Sequence, residues 1–282
     1  MTQQPVRDPL AFDALLSASW ALFRRNWIVA LPPVIAMCVW LVGIVLLVGV
    51  GVALAVAGGI KQHDPSGSLI VLLAVVYVLL CVGGIALSVW AYTAMFGMAD
   101  AVWERGTATF ADGNAAFRSR GGALVVAFIG LIGVGIVALI LALPTLFIAL
   151  LALPLFTMYV LPAVVGGRRG GFEAIGDSFR LVRAHFVPSL ITCVVLFGIL
   201  YGISFIAVIP ILPLEFAMTP SQGETTPNIP PLSLMIFGGL GYLVGIALQL
   251  AYSGFYAIAL VGMYRSLTAA PPTAPAGELV AT

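Results

Sequence analysis

Long runs without a charged side chain, separated by short polar punctuation, set the pattern of this chain. They extend from Asn26 to Ile60, Pro65 to Ala99, Gly121 to Gly167, Phe186 to Leu214 and Thr225 to Tyr264. A helix needs about 20 apolar residues to cross the hydrocarbon of a bilayer. Four of the runs hold one span each, and Gly121–Gly167 has room for two if the chain turns near Pro144. The pattern predicts an all-α integral membrane fold of six transmembrane helices, over 28–57, 69–97, 122–143, 146–166, 187–213 and 233–263.

Between the runs the period becomes amphipathic, and it repeats. Ser19-Trp20-Ala21-Leu22-Phe23-Arg24-Arg25-Asn26-Trp27 resembles Ser178-Phe179-Arg180-Leu181-Val182-Arg183-Ala184-His185-Phe186 at a constant offset of 159. Under that offset Leu16, Trp20, Phe23 and Trp27 match Ile175, Phe179, Val182 and Phe186. Steps of 4, 3 and 4 place each set on one helix face. Each copy reads as an amphipathic helix lying in the interface and leading into a span. Asp8-Pro9 supplies a start signal for the first copy, Asp as N-cap and Pro at the first helical position.

The hairpin ends repeat too. Tyr92-Thr93-Ala94-Met95-Phe96 with Arg105 matches Tyr252-Ser253-Gly254-Phe255-Tyr256 with Arg265 at an offset of 160. Phe156, Ala163 and Arg169 form a weaker third copy. Thr109 and Asp112 mark a capping-box start for a short middle helix carrying Phe110 and Phe117, before Gly121-Gly122. The simplest organisation is a single membrane domain over 1–267, built from three tandem units near 8–106, 107–170 and 171–267. Each unit is an interfacial helix followed by a two-span hairpin, and 268–282 reads as a disordered tail.

Charge fixes the orientation. The spans leave Arg7, Arg24, Arg25, Arg105, Arg118, Arg120, Arg168, Arg169, Arg180, Arg183 and Arg265 on one side, with Lys61 alone opposite. Cations are retained in the cytoplasm during insertion, so both termini are expected inside. At 62% hydrophobic and 8% charged the chain is no water-soluble domain, and a net charge of +1 offers nothing to a nucleic acid. The first apolar run is too long for a cleavable signal, and a bacterial cytoplasmic (inner) membrane is the expected location.

Candidate chemistry is sparse. Cys38, Cys81 and Cys193 fall inside spans without metal or redox spacing, and His63-Asp64, Glu215 and Glu224 lack ligand spacing in the outer loops. No nucleophile, base and orienting group converge, so neither catalysis nor a cofactor is implied. Gln249 sits deep in the sixth span. It reads as a ligand contact or, preferably, as an interhelical hydrogen bond. The repeat brings Tyr92, Thr93, Tyr252 and Ser253 to equivalent depth, as a shared polar pocket or as interface anchors. Arg24, Arg25, Arg105, Arg168, Arg169, Arg180, Arg183 and Arg265 are candidate contacts to lipid head groups or to a partner, and equally topology signals.

The most distinctive stretch is LPLFTMYVLPAVV ending the fourth span, then Gly-Gly, then FEAIGDSFRLVRAHF up to Pro188. With the opening SWALFRRNW and the closing Tyr264-Arg265-Ser266-Leu267, it resembles the membrane domain accompanying some bacterial glycerophosphoryl diester phosphodiesterases, and related six-span bacterial proteins. The resemblance implies an all-helical membrane protein and carries no catalytic residue. A phosphodiesterase barrel takes about 250 residues, and the chain has no room for one beside its spans. Expected, then, is a non-catalytic scaffold, accessory or lipid-interacting module. Its partners would be membrane lipids and a membrane protein or second copy. The alternative is a transporter or exporter of a lipid or small apolar solute.

Overall fold

A computed structural model describes residues 12–57, 67–145, 148–210, 212–213 and 232–269. The described residues are helical and contain no strand. Helix α1 (Phe12–Arg25) leads through a single 3-10 turn (Trp27–Ala30) into α2 (Leu31–Ala57). Then come α3 (Gly67–Arg105), α4 (Phe110–Ala142), the short pair α5 (Ile148–Thr157) and α6 (Val160–Val165), α7 (Gly171–Ala184), α8 (Phe186–Val208) and α9 (Leu232–Thr268). Six helical segments are long and apolar enough to cross a membrane, so the architecture is that of a multi-pass membrane protein. The Asp8-Pro9 start signal, Lys61, His63, Asp64, Glu215, Glu224 and residues 270–282 of the expected tail lie outside the described residues.

Three boundaries differ from the sequence reading, each for a local reason. The middle helix is not separate: the capping box at Thr109 and Asp112 starts a helix that continues through Gly121-Gly122 into the third span. A glycine costs a helix only about 1 kcal/mol relative to alanine, and the Phe117 ring packs where a Gly121 side chain would stand. The fourth span is interrupted at Met158-Tyr159. Pro162 has no N–H to give the carbonyl four residues back, that of Met158, which favours a break there. The fifth span stops at Val208, with Ile209 as C-cap directly before Pro210.

Burial is uneven along the spans. Met95, Phe96, Met98, Ala99 and Val102 of α3 pack with Tyr159, Val160 and Val164, and with Ile258, Leu260, Val261 and Met263 of α9. Val29, Leu124, Val182 and Leu196 complete this core. All of it lies in the half of the bundle where the arginines gather, called here the basic end. In the other half, residues 38–53 of α2 and 74–88 of α3 are largely exposed.

Hydrocarbon gives apolar helices no net drive to associate, so close packing there depends on small residues. Gly241 and Gly245 of α9 lie against Pro210 and Ala207 of the same hairpin, with no room for a side chain. Gly198 and Gly202, the other glycine pair with this spacing, have no atom near their missing Cβ positions.

Candidate functional site

The basic end is built around the link between α3 and α4. Asn26, buried between α1 and the 3-10 turn, donates from Nδ2 to the carbonyls of Leu22 (3.1 Å) and Gly106 (3.0 Å). Its Oδ1 accepts the N–H of Ala108 at 3.2 Å. One amide thus saturates both the end of α1 and a loop 80 residues away. Gly106 has φ +79°, a left-handed conformation that disfavours any side chain, and it ends α3. Thr109 then starts α4: its N–H (2.8 Å) and hydroxyl (2.9 Å) both donate to Asp112. Above them the Trp103 indole donates to the Ile258 carbonyl at 2.7 Å, tying α3 to α9.

Five ion pairs in three groups lie at this end. Arg105 at the end of α3 meets Asp112 of α4 at 2.7 Å. Arg169, just before α7, meets Asp177 of α7 at 2.9 Å, and Arg180 also pairs with Asp177. Arg265 near the end of α9 meets Asp100 of α3 at 2.6 Å and Glu104 at 2.9 Å. Arg24, Arg25, Arg118, Arg120, Arg168 and Arg183 have no acidic partner among the described residues. Arg120 reaches the carbonyl of Arg168, whose φ of +54° bends the chain between α6 and α7.

The amphipathic faces divide. In α1 the buried residues are Leu15, Ser19, Leu22 and Phe23, while Trp20 is 50% exposed and Leu16 half-buried; just beyond, Trp27 is 61% exposed. In α7 the buried set is Gly171, Ala174, Ser178 and Val182, Ile175 and Phe179 are half-buried, and Phe186 is exposed. Leu15, Ser19 and Phe23 correspond to Ala174, Ser178 and Val182 at the offset of 159. The protein-facing stripe is therefore rotated about one residue from the aromatic one. Trp20 packs edge-on against Phe255 with centroids 5.9 Å apart, and Phe179 stacks on Phe156 at 5.1 Å. Asn26 and His185, equivalent at the same offset, adopt φ/ψ of −126°/43° and −129°/53°.

Four of the five intramembrane polar side chains hydrogen-bond to near neighbours, and Tyr92 packs on a ring. Gln249 donates to the Ser204 hydroxyl of α8 at 3.4 Å, a long interhelical bond. Thr93 donates to the Val89 carbonyl and Ser253 to that of Leu250 within their own helices. The Tyr252 hydroxyl donates to the Leu196 carbonyl of α8, and Tyr92 lies 6.2 Å from the Phe128 ring. The hydrogen bonds of the five residues do not run from one to another.

Sequence reasoning passed over Asn26, Asp100, Glu104 and the buried Tyr159–Ser189 contact (3.2 Å) between α6 and α8. Two acids one turn apart at the end of an apolar run, Asp100 and Glu104, were a readable signal. Ser178 donates to the Phe156 carbonyl at 2.7 Å beside the break in the fourth span. Among the described residues no three His, Cys, Asp or Glu gather as a metal site, and Cys38, Cys81 and Cys193 are free thiols. Compared with family models, with curated proteins and with solved structures, the chain finds no match in any of the three.

Proposed function

We propose that this chain is a non-catalytic scaffold or accessory module of a bacterial inner membrane, built from three tandem units and presenting its basic end to the cytoplasm. The observation that carries the reading is the path of three of the ion pairs. Arg105, Arg169 and Arg265 occupy equivalent places at the ends of the three hairpins. Each reaches the next unit: Arg105 the Asp112 of the second, Arg169 the Asp177 of the third, and Arg265 the Asp100 of the first. The chain of contacts closes on itself, which suits three units around an axis along the membrane normal, with the third carboxylate supplied by α3 in place of α1. The matched dihedrals of Asn26 and His185 support the same unit structure. The one-sided arginines support the orientation.

A closed, densely packed basic end suits a platform that holds three hairpins in fixed relation, with lipids and a membrane-protein partner or second copy around it. The second reading, transport of a lipid or small apolar solute, draws on the sparse burial in the opposite half. Reconstituted vesicles decide between them. The scaffold reading expects a fluorescent phospholipid to change leaflets no faster than in protein-free vesicles, and acceleration would replace it with the transport reading. Reporter fusions after Thr268 test the orientation, with a cytoplasmic reporter active and a periplasmic one silent.

A further inference from the structure

Two classes of arginine share the basic end. Arg105, Arg169, Arg180 and Arg265 are spent on carboxylates within the protein. Arg24, Arg25, Arg118, Arg120, Arg168 and Arg183 have no acidic partner among the described residues, and of these Arg24, Arg118 and Arg183, all exposed, form a set. These three share one register position. Each directly follows an apolar side chain fixed on the core: Phe23, Phe117 and Val182. Successive residues of an α-helix are turned about 100° around its axis. An inward apolar residue therefore sends the next guanidinium to the flank of the bundle.

The spacing inside the helices agrees. Arg118 and Arg183 each lie six residues beyond the carboxylate that fixes their helix, Asp112 and Asp177. In α1 the corresponding residue is Ala18, so Arg24 keeps the outward place while Asp100 supplies the acid for Arg265. Exposed rings flank two of the three, Trp27 after Arg24 and Phe186 after Arg183. Planar guanidinium groups match phosphate oxygens in pairs, and aromatic rings settle at the depth of lipid head groups.

We infer that Arg24, Arg118 and Arg183 bind the phosphates of anionic phospholipids at three places around the basic end, a lipid contact separate from the inner ion pairs. This rests on the reading of the six helices as spans with the basic end at head-group level.

The test is thermal unfolding of the purified full chain in mixed micelles. The wild-type midpoint should rise as phosphatidylglycerol is titrated in. Phosphatidylcholine or inorganic phosphate should produce no rise, and high salt should shrink the effect. The triple variant R24Q/R118Q/R183Q should lose most of the rise while keeping its midpoint in phosphatidylcholine. The single variants should each lose about a third of it, if separated sites act independently, which keeps the test valid if the triple variant folds poorly. Arg169→Gln should lower the midpoint yet retain the response to phosphatidylglycerol. An undiminished rise in the outer variants, or an equal rise with inorganic phosphate, would overturn the inference. Either result would leave the scaffold reading to be judged on leaflet exchange.

Discussion

Arg265 and Asp100, 165 positions apart, are joined by two hydrogen bonds from the guanidinium to one carboxylate oxygen, at 2.9 and 2.6 Å. The pair locks the last helix onto the first hairpin, and both side chains are mostly buried. Hydrogen bonds to charged groups contribute about 1.5–3 kcal/mol each when one partner is removed. Asp100→Asn and Arg265→Gln should therefore each lower the unfolding midpoint clearly. The double variant should lose less than the sum, with a coupling of about 0.5–3 kcal/mol. Additive losses in the double-mutant cycle would show that the two residues act independently.

Asn26→Ala removes two donors and one acceptor at once. The Gly106 carbonyl and the Ala108 N–H lose their bonds, and because both are partly open to solvent each loss should cost about 0.5–1.5 kcal/mol. Limited proteolysis is the direct measurement: cleavage within 106–109 should speed up before any other site opens. Asn26→Asp keeps the acceptor for Ala108 but sets a buried carboxylate oxygen against the Leu22 and Gly106 carbonyls, so it should be at least as damaging as the alanine variant.

The two glycine pairs, identical by pattern, should respond in opposite ways. Gly245→Val pushes a side chain into Ala207, and overpacking of this kind costs about 1–3 kcal/mol. Gly202→Ala meets nothing and should stay within about 0.5 kcal/mol of wild type, as surface substitutions do. Equal midpoints for both variants in detergent would contradict the packing of α8 on α9.

Replacing Gln249 by Leu should cost at most about 1 kcal/mol, because interhelical hydrogen bonds in membranes average near that or below. The long bond to Ser204 points to the low side of that range. A large loss of stability, read from the thermal midpoint, would mean that Gln249 holds more than this one contact.

Much of this architecture was readable from residue order. Charge-free runs located the six spans because nothing charged can be left in hydrocarbon cheaply. Ser19 and Ser178, matched by the offset of 159, are both fully buried, yet Ser19 bonds within its own helix and Ser178 reaches Phe156 of another. Helix continuity was harder to read: Gly121-Gly122 looks like a break and is bridged, because Phe117 fills the space beside it. The aromatic period marks one face of an interfacial helix, and α1 buries Leu15, Ser19 and Leu22 beside that face, with Phe23 shared between the two. Periodicity locates a stripe but cannot say whether lipid or protein covers it. Asn26 escaped notice because its value lies in two partners from a distant loop, Gly106 and Ala108, which no local pattern reveals.

The concentration of packing at the basic end also bears on how the protein meets bilayers of different thickness. A bundle stiff along its whole length must thin or thicken the lipid around it when lengths disagree. Here residues 38–53 of α2 and 74–88 of α3 bury few side chains, so leaning there would cost little of the core around Phe96 and Ile258. Mismatch would then be absorbed by leaning hairpins, and the basic end would keep one shape in thin and thick membranes alike.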